Sequence, residues 1–397
     1  MKTTFVIPTY WGRPVGVDFN PTDVVYDHPT PLNLNGTLAR ALDSFAILNR
    51  SDFNIIVIAA ATHPELESFV EKKVAEITDP FKHKLNLGLI SPEITTRYRK
   101  TVEKELGREF AALISCYGYS NIRNLCLIAG HAIGADNIIL IDDDELIEYP
   151  EFLDKALEFM PGSGDGSVKA KAGWYMRPDG GYKGPPTRDA WWMGWQGAEA
   201  MNEGFDAVIG QSGRLGKTPF AFGGNMVISR EVFTQIAFDP QIPRGEDIDY
   251  VFNAMMSGIE FVMDRELWIR HLPPASHVPD WQGFQQNALR FTYARQKLAT
   301  QITSEQDRTV LLEELNPYPG RFLGPDLDEK IKATCALLGQ RYISEGDTAG
   351  YHASMLIPEL VEGLKGKQNN ACRDYLDLEK RWRSLMQETG KGSGFVF

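Results

Sequence analysis

The sequence predicts an α/β fold: a mostly parallel sheet flanked by helices, followed by a helical C-terminal region. Three observations lead there. Short apolar runs rich in Ile, Val and Leu recur as far as Ile269, among them Thr4–Pro8, Asn54–Ala59 and Asn137–Ile141. Bounded by turn signals, such runs read as buried strands. Between them lie segments with apolar residues at helical steps, and strands alternating with helices imply parallel pairing with helices on both faces. Beyond about Pro279 only the helical period remains, with Trp281, Phe284, Ala288, Phe291, Ala294 and Leu298 on one face.

The elements follow in order. Thr4–Pro8 is a strand stopped by Pro8, and a Pro/Asn/Asp-rich segment runs from Trp11 to about Asn35. Leu38–Leu48 is helical, and Asn54–Ala59 is the second strand. His63-Pro64-Glu65 opens a helix to about Ile77, proline being favoured in a first turn. Leu87–Ile90 is a third strand. Tyr98–Leu106 and Asn121–Gly134 read as helices, and the strand Asn137–Ile141 follows. A helix starts at Pro150 and ends at Pro161-Gly162, and Val168–Met176 is a strand. Arg177 to about Pro219 shows no period, and a loop of that length inside a compact domain is usually functional. Met226–Ser229 is a strand, Asp247–Met256 a helix, and Ile259–Ile269 holds the last strand. Helices starting near Leu327, Glu345 and Ala371 complete the chain.

The chain has 397 residues, a net charge of −12 and four scattered cysteines. The acidic balance argues against a nucleic-acid groove. Cys116, Cys126, Cys335 and Cys372 show no metal spacing and read as buried thiols. No run approaches the ~18 apolar residues of a membrane span, and the N-terminus enters a strand at once. A cytoplasmic protein without a transmembrane segment is expected.

Asp142-Asp143-Asp144, directly behind Asn137–Ile141, is the most informative motif. Alternate strand residues point the same way, so Asp142 and Asp144 project together from a strand end, where open α/β sheets bind ligands. Paired carboxylates suit a hard divalent cation; an acidic turn capping the next helix is the plainer reading. Three further features join them. Gly223-Gly224-Asn225 permits close backbone approach or makes an ordinary turn. Glu246-Asp247 either caps a helix or presents a general base. His271, at the end of the last strand, either is structural or completes an Asp, Asp, His metal set.

In this order the motifs resemble a glycosyltransferase of the GT-A fold, the nucleotide-diphospho-sugar transferase type of family 2. The likeness spans roughly residues 1–275 and rests on Ile7-Pro8-Thr9-Tyr10, Ser120-Asn121-Ile122-Arg123-Asn124, Asp142-Asp143-Asp144, Gly223-Gly224-Asn225, Glu246-Asp247 and His271. It implies a Rossmann-like GT-A catalytic domain over 1–279 with a helical region over 280–397. It implies a hexosyltransferase moving a sugar from a UDP- or GDP-sugar to a carbohydrate or small hydroxylated acceptor, with Mn²⁺ or Mg²⁺ as cofactor. Asp142, Asp144 and His271 would hold the metal. Pro8, Thr9, Tyr10, Arg123, Asn124, Asp143, Gly223, Gly224 and Asn225 would bind the nucleotide-sugar. Asp247, with Glu246, would be the base of an inverting transfer. Where many family members carry an acidic residue after the second strand, this chain has Ala59-Ala60-Ala61-Thr62, so its base recognition differs. Lys171–Pro178, with Gly223-Gly224 and His271, is also similar to retaining transferases that make glucosyl- or mannosyl-glycerates, which use no Asp base.

Trp191, Trp192 and Trp195, with Trp174 upstream, offer indole faces on which an acceptor sugar would stack, or they fill a core. Arg177, Arg188 and Arg214 would suit an anionic acceptor. The C-terminal helices have three roles open to them: a homo-oligomer interface, a cover over the acceptor, or an extension of the core. Two other classes compete, a nucleotidyltransferase and a non-catalytic sugar-binding protein. The first would show a Gly-rich basic phosphate loop, of which Trp11–Gly16 is a faint version; the second would not need Asp142, Asp144, Asp247 and His271 together.

Overall fold

The computed structural model describes residues 1–17, 20, 22–164, 166–185, 189–276, 278–367 and 370–390. Its strands are β1 (Thr3–Gly12), β2 (Thr30–Pro31), β3 (Phe53–Ala61), β4 (Leu87–Ile90), β5 (Asn137–Leu140), β6 (Glu145–Leu146), β7 (Ala170–Met176), β8 (Leu215–Lys217), β9 (Met226–Ser229) and β10 (Phe261–His271). They form one sheet in the order β4-β3-β1-β5-β9-β7-β10-β6, with β2 beside β1 and β8 beside β10. From β4 to β5 every pairing is parallel. β9 then runs antiparallel to β5 and β7, and β10 is parallel to β7. The sheet is therefore mostly parallel along its path, with an antiparallel strand at its centre.

Both faces of the sheet are buried, which explains why its strands read as unbroken apolar runs rather than as alternation. Phe5, Ile7, Ile55 and Val57 join a core beneath the helices Leu38–Ser44, Glu67–Thr78 and Phe152–Leu157. Val6, Ile56 and Ile58, one residue out of step, enter the opposite core with the helices Pro92–Leu106 and Tyr119–Ala132. That second core continues without a break into Phe284, Phe291, Leu338, Trp382 and Leu385. The region after residue 280 is helical as expected, with helices Asp280–Ala299, Leu327–Ser344, Thr348–Lys367 and Ala371–Thr389, and it packs into the sheet's own core.

Several stretches differ from the sequence reading. β1 is not stopped by Pro8 but runs on to Gly12, paired with β3 as far as Trp11. The helix read from Tyr98 begins at Pro92, where the Ser91 hydroxyl caps it by accepting the Ile94 amide. The span Arg177–Pro219 contains the helices Ala190–Trp195 and Gly197–Val208 and strand β8. Tertiary packing makes helices of a Gly- and Trp-rich segment: the Trp195 ring stacks on Phe322 with centroids 4.4 Å apart, and Gln196 turns the chain between the helices at φ 57°. The helix expected from Pro150 to Pro161 covers only Phe152–Leu157. Buried Lys171 ends it, its ammonium donating to the carbonyls of Lys155 and Glu158 at 2.5 and 2.9 Å.

Candidate active site

The carboxyl ends of β1, β5, β7 and β10 meet at one edge of the sheet, and the short β6 decides what they carry. β6 pairs Glu145 with His271 and Leu146 with Arg270, which folds the triple aspartate back onto the end of β10. His271 Nε2 comes within 3.6 Å of Asp144 Oδ2. The Tyr175 ring, at the end of β7, stacks on His271 with centroids 4.5 Å apart and planes 25° apart. Its hydroxyl accepts from the Gly224 amide at 2.7 Å and donates towards Asp142 at 3.5 Å. Tyr175 thus touches both Asp142 and His271, and His271 in turn faces Asp144.

Arg123, 3% exposed, is the cation of this edge. It lies 2.8 Å from Asp142 and 3.2 Å from Glu246. Asp247 is held from both sides: Oδ2 accepts the Gly223 amide at 2.9 Å and Oδ1 accepts the Ile248 amide at 2.8 Å. A methyl group on Gly223 would lie 2.6 Å from the Arg123 guanidinium, and one on Gly224 would lie 2.1 Å from Glu145 Oε1. The paired glycines therefore admit these two side chains.

The electrostatics are one-sided. Burial, and then the charge of Asp144, push Asp143 up to about 8. Burial raises Asp142 against the pull of Arg123. Glu145, 1% exposed, is raised well above the carboxylate range by burial and by Asp142 and Asp144, and its Oε1 has no hydrogen-bond partner. Burial, then Asp247, carry Glu246 up to about 7 against the pull of Arg123, and burial also raises Asp247. Six carboxyl groups thus crowd an edge whose buried cation is Arg123, the shortage of positive charge that a divalent ion relieves. Oxygen donors with one imidazole are the donor set of Mn²⁺ or Mg²⁺. Among the described residues, however, no three His, Cys, Asp or Glu side chains converge as a ready-made cage.

Several other residues expected in the site are engaged in the fold. Asn124 donates to the Phe238 carbonyl and accepts its amide, both at 2.8 Å. Asn225, fully buried, donates to the carbonyls of Trp174 and Leu267. Thr9 donates to Asp143 and accepts the Trp11 indole N–H. Pro8 sits after β5 has stopped pairing with β1 at Val6, where a missing amide costs least. Tyr10 packs against Tyr26 and Tyr119, centroids 4.4 and 5.3 Å away. Trp191 and Trp195 are core residues at 5% and 2% exposure, packed on Phe284; Trp192 and Arg177 are half-buried. Arg214 is tied to Asp264 at 3.0 Å and to Glu158 at 2.5 Å. Arg188 lies outside the described residues.

Three neighbours of the site escaped the role assignments. Glu145 was legible as the next acid after the triplet. Tyr175 stood out only as part of Lys171–Pro178, without a role, and His28 not at all, because strand pairing and loop folding bring them in. The first loop also bounds a cleft of about 460 Å³, lined by Gly12, Arg13, Asp23, His28 and Thr62 and closed by Val278 and Trp281. It opens beyond the carboxyl ends of β1 and β3, and its volume suits a small molecule.

No protein-family model matches the chain, and no curated protein matches it. Solved structures resemble it. One is a mannosyltransferase from Pyrobaculum calidifontis in complex with GDP-Man and Mn²⁺, 14% identical, with 99% of this chain and 87% of that chain covered and a TM-score of 0.43. Another is glucosyl-3-phosphoglycerate synthase from Mycobacterium tuberculosis. With phosphoglyceric acid bound it is 14% identical over 72% of this chain and 78% of that one, at a TM-score of 0.38. With Mn²⁺, UDP-Glc and phosphoglyceric acid the values are 14%, 69%, 72% and 0.35.

Proposed function

We propose that the chain is a GT-A-type, metal-dependent glycosyltransferase that moves a sugar from a nucleoside-diphospho-sugar to an acceptor hydroxyl. One observation carries this reading: an under-neutralised acid cluster stands at the carboxyl edge of a largely parallel sheet, with a small-molecule cleft opening at the same edge. Asp144 and His271 would hold Mn²⁺ or Mg²⁺, with Asp142 shared between the ion and Arg123. Such ions usually take one or two protein carboxylates and fill their remaining positions with water and substrate phosphate, which fits a site without a closed protein cage. When bound, the ion would neutralise charge growing on the diphosphate leaving group.

The chain's own residues supply the rest. Arg123 fixes Asp142 and Glu246 relative to each other. The two backbone amides fix Asp247, and burial raises its proton affinity, so its carboxylate can take the proton of an acceptor hydroxyl. That is the inverting reading. One observation favours a retaining transfer instead: both Asp247 oxygens already accept amide hydrogens, which occupies lone pairs a base would use. Half-buried Trp192 and Arg177 are the acceptor contacts that remain from the sequence.

A thermal-shift screen tests the reading. GDP-Man and UDP-Glc are offered with Mn²⁺ or with EDTA, to the native chain and to Asp144→Ala. A donor at 100 times its Kd stabilises by roughly 2.7 kcal/mol. The expected result is a shift in the native chain that needs Mn²⁺ and is absent from Asp144→Ala. An equal shift in EDTA overturns the metal assignment; no shift with either donor, in folded protein, overturns the transferase reading for those donors.

A further inference from the structure

We propose that His28, from the first loop, binds a phosphate oxygen of the nucleoside diphosphate in the cleft, a role that rests on the transferase reading. Three observations place it there. First, Asp27, the residue before His28, is pinned by three contacts. The Asp27 amide donates to the Tyr119 hydroxyl at 2.5 Å, and its carbonyl accepts from Ser276 Oγ at 3.0 Å. Its carboxylate pairs with Arg244 at 3.1 Å. A loop residue held this way is presented rather than left to wander. Second, His28 lines the cleft, and its Nδ1 is buried without a hydrogen-bond partner. A buried polar nitrogen is rarely left unsatisfied, and a ligand oxygen would satisfy this one. Third, the charges of Asp144 and His271 act on the imidazole, which puts His28 on the side of the cleft nearer the acid cluster. A nucleotide whose base end lies towards Arg13 and Thr62 would bring its diphosphate to His28 and to the metal seat together. Burial lowers the proton affinity of His28, and a neutral imidazole still donates one hydrogen bond.

Isothermal titration calorimetry decides the matter. GDP and UDP, inorganic pyrophosphate, and the nucleosides guanosine and uridine are titrated in Mn²⁺ into the native chain, His28→Ala and His28→Asn. A hydrogen bond to a charged group converts to roughly a 10- to 100-fold loss. His28→Ala is expected to lose that much for the tighter nucleoside diphosphate and for pyrophosphate, with nucleoside binding unchanged. His28→Asn, which keeps a short donor, is expected to retain part of the affinity, and it replaces the alanine variant if that one does not fold. Equal diphosphate affinity in native and variant chains overturns the assignment to His28 while leaving the transferase reading intact. A loss as large for nucleosides as for diphosphates overturns it in favour of loop shaping. A native chain that binds neither diphosphate nor pyrophosphate in Mn²⁺ overturns both.

Discussion

Two regions of this molecule bury clusters of carboxylates, and they answer the cost of doing so in opposite ways. Behind the helix Glu246–Met256, Asp239 and Asp249 surround Lys297, which is fully buried and lies 2.9 Å from Asp239 and 2.7 Å from Asp249. Asn253 accepts another Lys297 proton at 3.0 Å, and Tyr293 donates to Asp239 at 2.9 Å. Burial pulls the lysine down, yet Asp239 and Asp249 raise it overall. At the sheet edge, Asp142, Asp143, Asp144 and Glu145 crowd together with Arg123 as their buried cation, and Glu145 keeps an unpartnered oxygen. A cluster completed by the chain's own cation locks helices together; the one left short of cation is, on the function proposed above, where an ion from outside would bind. The same helix carries both lessons, since Asp249 faces the lysine while Glu246 and Asp247 face the site.

Mutations can break this contrast. The largest expected effect is on turnover: Asp247→Asn should lower sugar transfer by ~10²–10⁴-fold in an assay with the accepted donor, while calorimetric binding of donor and Mn²⁺ is kept. Full activity in that variant would leave the retaining route. Next, Lys297→Met should cost about 3–5 kcal/mol in urea denaturation, because it strands two buried carboxylates. Asp144→Ala should cost no stability in the metal-free chain, since it relieves like-charge crowding; a loss matching that of Lys297→Met would abolish the distinction between the regions. Gly224→Ala should cost about 1–3 kcal/mol by forcing Glu145 aside, again read by denaturation.

The smallest effect concerns His131, outside both clusters. Its Nε2 lies 2.7 Å from the Met386 carbonyl and its Nδ1 lies 3.2 Å from Arg230. Burial, and then Arg230, lower its proton affinity. The unfolded chain therefore binds a proton that the folded chain resists. The stability contribution is complete above the unfolded value of about 6.5 and is lost as pH falls through the lowered folded value. The native chain should lose more stability than His131→Gln between neutral and mildly acid pH, measured by denaturation at each pH; equal losses would mean that His131 titrates as it does in the unfolded state.

The strands were legible because unbroken apolar runs such as Asn54–Ala59 can bury both faces of a covered sheet, and the sequence shows that directly. The acid triplet and its place behind β5 were legible for the same reason. The helices Ala190–Trp195 and Gly197–Val208 were hidden, since their stability comes from rings such as Phe284 and Phe322, which lie 89 and 127 residues after Trp195. Arg123 and Asp142, with Glu246, were visible as polar residues near element ends, but their mutual pairing was not. Asn124 and Asn225 looked like ligand contacts because their motifs carry no record of Phe238 or Leu267, the backbone partners that occupy them.

By itself, then, the sequence determined the α/β class, the helical C-terminal region and the residue types of an acidic strand-end site, because local period and composition express burial one element at a time. Which acids meet which cations was decided only in three dimensions. The two-residue β6 folds Asp144 back to His271, and a pinned first loop carries His28 to the same edge. Pairings between residues more than a hundred positions apart depend on chain closure, and no local pattern encodes the partner.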